Sequence, residues 1–107
     1  MVALDAASGD MLWSTPLPAV GFGAATVVND LVLTSTYDGV LYALARKDGR
    51  VVWRYEAPGG VNAWPAVAGD TIVWPVGLGR RPVLLALRLG SNVPITPPKA
   101  RPTVTTP

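Results

Sequence analysis

The chain contains no cysteine and no histidine. Disulfides, thiolate nucleophiles, imidazole bases and any metal site built on Cys or His are therefore excluded. The missing cysteine leaves the redox compartment open. Charged residues are scarce, at 15% of the chain against a usual share of about 25%. No apolar run approaches the ~18 residues of a membrane-spanning helix. The N-terminus shows no basic stretch ahead of an apolar run, the pattern of a secretory signal. What the chain has instead is apolar residues at 50%, with 11 glycines and 11 prolines. That composition suits a core-forming domain cut into many short strands, and it argues against bulk disorder.

A repeat organises those strands. Ala3-Leu4-Asp5-Ala6-Ala7-Ser8-Gly9-Asp10-Met11-Leu12-Trp13 returns 40 residues later as Ala43-Leu44-Ala45-Arg46-Lys47-Asp48-Gly49-Arg50-Val51-Val52-Trp53. Ala, Leu, Gly and Trp keep their offsets. Val27 to Leu33 aligns with Val67 to Val73 at the same spacing. A period of about 40 residues carried by short β-type segments is the signature of propeller blades.

Turn signals divide the chain into nine predicted strands: Val2–Asp5, Met11–Pro16, Ala24–Val28, Leu31–Tyr37, Val40–Arg46, Val51–Glu56, Ala63–Val67, Thr71–Val76 and Pro82–Leu89. Asn29-Asp30, Asp38-Gly39, Asp48-Gly49 and Gly69-Asp70 supply the tight turns. The expected fold is all-β, with antiparallel four-stranded blades: a partial blade over 1–18, a complete one over 24–57 and a partial one over 63–90. The loop from Gly77 to Arg81 is about three residues longer than its counterpart. Residues 91–107 hold five prolines and no apolar period, and are expected to form a Pro/Thr-rich disordered tail.

Typical propellers close with 4–8 blades, so one whole blade and two partial ones do not close a ring. Val2 opens in mid-blade, which favours a fragment of a longer propeller. Assembly from several copies and an open arc are the alternatives, because repeats need neighbours to bury their faces.

The motif Ala3-x-Asp5-x-x-x-Gly9-x-x-x-Trp13 resembles the tryptophan-docking motif of quinoprotein-like propellers, the family that includes the pyrroloquinoline quinone alcohol dehydrogenases. The resemblance covers about residues 1–90 and implies a structural role for Ala3, Asp5, Gly9, Trp13, Ala43, Gly49 and Trp53, with each Trp wedged between blades. The glycine serves a turn that needs positive φ, the Trp offers a large flat packing surface, and the alanine leaves room for it. Asp5 becomes Ala45 in the second copy, which removes a polar lock on that turn. The third copy, Ala86-Leu87-Arg88-Leu89-Gly90, stops without a Trp, as a terminal repeat often does.

No catalytic, cofactor-binding or metal residue is singled out. The family's quinone enzymes use calcium, an Asp base and commonly a vicinal disulfide, and the disulfide is impossible here. Calcium asks for six to eight converging oxygens. Asp10, Asp30, Asp38, Asp48 and Asp70 instead fall at turns, where carboxylates cap backbone N–H groups, and Asp5 and Glu56 complete the acids. Trp64 and Trp74, placed on adjacent strands, either stack a planar ligand or fill the core and an unpaired edge; packing is the usual task. Gly21-Phe22-Gly23 and Gly77-Leu78-Gly79 lack the following helix that a phosphate loop needs.

Charge is uneven. Residues 1–70 carry seven acids against Arg46, Lys47, Arg50 and Arg54; residues 71–107 carry Arg80, Arg81, Arg88, Lys99 and Arg101 with no acid. Five spread cations without clustered aromatics do not indicate nucleic-acid binding. The leading expectation is a non-catalytic propeller segment serving as scaffold or protein-interaction surface. It resembles the propeller lipoprotein of bacterial outer-membrane assembly and the sensor domains of some bacterial kinases. The alternatives are a C-terminal piece of a quinone-dependent dehydrogenase, using pyrroloquinoline quinone and calcium held elsewhere, and a purely architectural repeat that self-associates through open sheet edges. The resemblance implies an extracytoplasmic location, in the periplasm or at the cell surface.

Overall fold

A computed structural model describes residues 1–91; the Pro/Thr-rich tail expected from sequence lies almost wholly outside the described residues. Nine strands run in chain order: β1 (Val2–Leu4), β2 (Met11–Ser14), β3 (Thr26–Val28), β4 (Leu31–Ser35), β5 (Val40–Ala45), β6 (Val51–Glu56), β7 (Ala66–Ala68), β8 (Thr71–Val76) and β9 (Val83–Arg88). They form antiparallel meanders of two, four and three strands, β1-β2, β3-β4-β5-β6 and β7-β8-β9. We call these sheets I, II and III. The fold is all-β, without helix among the described residues, and none of its sheets closes on itself.

The repeat is exact at the level of hydrogen bonds. Gly9 N–H donates to the Asp5 carbonyl at 2.8 Å, and Gly49 N–H to the Ala45 carbonyl at 2.8 Å. Asp5 N–H reaches Asp10 O, and Ala45 N–H reaches Arg50 O, again at 2.8 Å each. A register shift falls between Ala3 and Leu4 in sheet I and between Ala43 and Leu44 in sheet II. Sheet III keeps the offset of 40 in its first hairpin, where Val67 pairs with Ile72 as Val27 pairs with Val32. Thr71 then pairs with Arg88 where Leu31 pairs with Ala45. The loop from Gly77 thus adds three residues and leaves the strands in phase.

Several strands are shorter than their sequence signals. Ala24 and Ala25 precede β3 rather than joining it, and Ala63 to Pro65 precede β7. Pro65 has no N–H to give a ladder, and its buried carbonyl accepts from Thr26 Oγ1 at 3.1 Å. Trp64 therefore stands outside the strand to which its apolar neighbours would assign it.

Alternation along sheet II sorts the core into two layers. Val32, Val40, Tyr42 and Leu44 face sheet I and pack with Met1, Trp13 and Leu17. Leu33, Leu41 and Ala43 face sheet III and pack with Val61, Trp74, Val76 and Leu85. Leu33, Leu41 and Leu44 are at most 2% exposed; each contributes roughly 1.5–3 kcal/mol by burial. The two layers are filled by different residues at one strand pair. Towards sheet I the partners are Thr34 and Tyr42; at the same repeat positions sheet III offers Trp74 and Leu85. Small-and-large has become large-and-medium, and Tyr42 at 4%, Trp74 at 0% and Leu85 at 3% exposure are all buried.

Candidate functional site at the blade contacts

Ala3 stands directly opposite Trp13 in the β1–β2 ladder, and Ala43 opposite Trp53 in β5–β6. A methyl group there leaves space for an indole to lie along its own sheet and reach the next one. Trp13 does so. Its Nε1–H donates to the Arg46 carbonyl at 2.8 Å, 33 positions away in the turn between β5 and β6. Gly49 lies under the ring: a Cβ there would fall 2.6 Å from Trp13 Cδ2 and 2.5 Å from Thr15 Oγ1. Thr15 Oγ1 closes the contact by donating to the Gly49 carbonyl at 2.6 Å. The glycine is required twice over, by φ of +76° and by the aromatic face above it. Gly9 has φ of +77° but nothing within 4 Å of its virtual Cβ. Thr15 does not stand out in sequence, because its counterpart 40 residues on is Tyr55.

The second copy is arranged differently. Trp53 lies against Tyr55 with ring centroids 5.9 Å apart and planes 13° from parallel. It is 36% exposed. In place of a docked turn there is a cleft of about 500 Å³ between sheets II and III, lined by Leu33, Ala43, Trp53, Tyr55, Ile72 and Leu87 among others. Arg88 Nε and Asp70 Oδ2 stand 3.9 Å apart at its rim, both well exposed, a pair worth little in water.

The carboxylates stay apart. Asp5 Oδ1 accepts from Ser8 N–H at 2.8 Å, Ala7 N–H at 2.9 Å and Ser8 Oγ at 3.1 Å. The Ser8 and Ala7 amides, then the Ser8 hydroxyl, hold this carboxyl below its ordinary value. Asp48 Oδ1 accepts from Arg50 N–H at 3.0 Å, where Ser8 Oγ accepts from Asp10 N–H at 3.2 Å in the first copy. The turn around Gly49 loses the Asp5 lock and keeps this second one. Backbone capping does not extend to every turn acid: Asp38 accepts from the Thr36 hydroxyl and Asp70 from the Thr71 hydroxyl. No three of His, Cys, Asp and Glu come together among the described residues. These residues do not fit the oxygen-rich shell that calcium demands.

Trp74 and Trp64 are parted. Trp74 is fully buried and its Nε1–H donates to the Ala63 carbonyl at 3.1 Å, whereas Trp64 is 61% exposed. Phe22 packs edge-on to Tyr37 with centroids 5.2 Å apart, and Leu78 exchanges both backbone hydrogen bonds with Gly60 at 3.1 Å. Gly21 and Gly23 serve close backbone packing, since a Cβ there would lie 3.1 Å from Ser35 O and 2.8 Å from Ala63 O; Gly77 and Gly79 have open space, and it is Gly59 and Gly60 that let Leu78 approach.

A family model described as outer membrane protein assembly factor BamB matches residues 1–92. Polyvinylalcohol dehydrogenase of Sphingopyxis sp. (strain 113P3) is 38% identical over 69 residues, which is 62% of this chain and 11% of the dehydrogenase. The structure of BamB from Moraxella catarrhalis is similar with a TM-score of 0.59 at 21% identity, over 64% of this chain and 22% of that one. The second likeness speaks for the fold. The chain spans only a small part of the length of either relative.

Proposed function

This chain belongs to the propeller family described as outer membrane protein assembly factor BamB, and from that premise we propose that it is a non-catalytic blade segment serving as a scaffold and protein-interaction surface. The carrying observation is where its distinctive residues go. Trp13, Thr15 and Gly49 are spent on holding one sheet to the next, while the acids are dispersed over separate turns. Neither quinone nor calcium is part of this reading, and protein surfaces are its partners. The family resemblance supports an extracytoplasmic setting.

A second reading is favoured by the identity with polyvinylalcohol dehydrogenase: these blades belong to an enzyme whose catalytic residues lie outside the chain. One experiment separates the two. The natural polypeptide carrying these blades is supplied with pyrroloquinoline quinone and calcium, then offered alcohols with an electron-accepting dye. The scaffold reading expects no dye reduction; quinone-dependent reduction overturns it in favour of the enzyme.

A further inference from the structure

Blades stack through the faces of their sheets, which leaves the ends of the strands free of that contact. At one of these ends the repeat is broken by an insertion. The turn between β4 and β5 closes at Gly39 and the loop between β8 and β9 passes through Gly79, with φ of +97° and +125°. Val40 and Val83 then begin the next strands, so the three extra residues of the longer loop are Arg80, Arg81 and Pro82. The insertion is held on both sides. Leu78 is bridged to Gly60, and Pro82 has a fixed φ ahead of β9.

A continuous row leads from aromatic side chains to this dibasic insertion. Phe22, 66% exposed, packs edge-on to Tyr37, 48% exposed. Gly60 lies between Tyr37 and Leu78: a Cβ there would stand 2.7 Å from the Tyr37 carbonyl oxygen and 3.0 Å from Leu78 Cβ. Gly79, Arg80 and Arg81 follow Leu78 and all three are exposed. Phe22, Tyr37 and Gly60 belong to the end of sheet II and to the connections into and out of it, with sheets I and III present on either side. Their exposure does not come from where the sequence begins or stops.

We propose that this row docks an acidic, extended segment of another protein, with an apolar side chain on Phe22 and Tyr37 and carboxylates on Arg80 and Arg81. Charge selects that partner. Arg54 is paired with Glu56, Arg88 with Asp70, and Arg46 donates to the Asn29 carbonyl, whereas Arg80 and Arg81 have neither ion pair nor hydrogen bond among the described residues. The acids at this end of the strands are Asp38 and Glu56; the first accepts from the Thr36 hydroxyl and the second faces Arg54. The connections over residues 15–25 and 57–65 carry no charge at all. Adjacent guanidinium forks suit carboxylates, and Phe, Tyr and Arg are the residues that protein interfaces favour. Two cations fall short of the about 4–8 basic residues of a lipid-binding cluster, so a protein segment fits the row better than a membrane surface.

The proposal rests on the scaffold reading and gives its partner a chemistry. Peptide binding tests the row and dye reduction tests the reading, so the two fail separately. The natural polypeptide carrying these blades is titrated into a labelled peptide that has a tryptophan ahead of a run of glutamates, and into the same peptide with glutamines. Fluorescence anisotropy is expected to show binding of the glutamate peptide, weakened by salt, and weaker binding of the glutamine one. The double variant Arg80→Ala, Arg81→Ala is expected to weaken binding by about tenfold or more, and Phe22→Ala to weaken it too. Lys47→Ala removes an exposed cation at the opposite end of β5 and is expected to change nothing. All four side chains are exposed, so the variants keep their fold, which far-ultraviolet circular dichroism checks. The proposal is overturned if the glutamate peptide does not bind, or if the double variant or Phe22→Ala binds it as the parent does. It is also overturned if vesicles of phosphatidylserine or duplex DNA bind through Arg80 and Arg81 where the peptide does not.

Discussion

Replacing Gly49 by alanine tests the docking of sheet I on sheet II, with Gly9→Ala as an internal control. Both glycines sit at nearly the same φ, +77° and +76°. An alanine forced into the left-handed region costs about 1–2 kcal/mol, less the ~0.4–1 kcal/mol that it removes from the freedom of the unfolded chain. That leaves roughly 1 kcal/mol at either site. At position 9 the accounting stops there, because the new methyl meets nothing within 4 Å. At position 49 the methyl overlaps Trp13 and Thr15 and must push both away. The Trp13–Arg46 and Thr15–Gly49 hydrogen bonds then go, at roughly 1 kcal/mol each. Part of the burial of a half-buried indole goes with them, at roughly 1 kcal/mol more. Gly49→Ala is therefore expected to destabilise by about 3 kcal/mol beyond Gly9→Ala. For a domain of this size that separates the two melting temperatures by on the order of 10–20 °C. Thermal melts followed by tryptophan fluorescence and by circular dichroism give both numbers. Equal losses at the two glycines would refute the docking argument, since only local backbone strain would then be at work.

Other outcomes follow from the same geometry. Trp74→Ala empties the centre of the layer between sheets II and III and is expected to cost about 3–5 kcal/mol, read as a lower urea midpoint; Trp74→Phe also loses the bond to the Ala63 carbonyl. Tyr42→Phe removes a buried hydroxyl that no group among the described residues bonds, and is expected to leave stability unchanged or raise it by up to ~1 kcal/mol. The Asp5 carboxyl is held below its ordinary value of 3.8 by the Ser8 and Ala7 amides. Its contribution is present above the unfolded value and lost as pH falls through the folded one. The urea midpoint should accordingly drop on acidification below about pH 4, and less steeply in Asp5→Asn, which keeps an acceptor but does not titrate; parallel slopes would contradict this.

Much of the fold was legible because a repeat reports itself. The matched Gly9 and Gly49, and the matched Trp13 and Trp53, carry the period, and the turn pairs Asn29-Asp30 and Gly69-Asp70 mark the hairpins. Asn29 does take positive φ, as does Gly69 in its place. Contacts between repeats were harder to read. The partner of Trp13 is a carbonyl and a glycine in the next sheet, and a carbonyl has no sequence signature. The exchange of Thr34 and Tyr42 for Trp74 and Leu85 is visible only once cross-strand register is known. Trp64 misled because its apolar neighbours read as strand, although Pro65 cannot complete a ladder there. The turn acids were read by one rule, yet hydroxyls of Thr36 and Thr71 compete with the backbone for Asp38 and Asp70.

The central claim, that Trp13 joins sheet I to sheet II through the Arg46 carbonyl, is tested most directly by hydrogen exchange at the four indole N–H groups. The account expects slow exchange at Trp13 and Trp74, bonded to the Arg46 and Ala63 carbonyls, and fast exchange at Trp53 and Trp64, which are exposed. A Trp13 indole that exchanges as fast as that of Trp64 would contradict it.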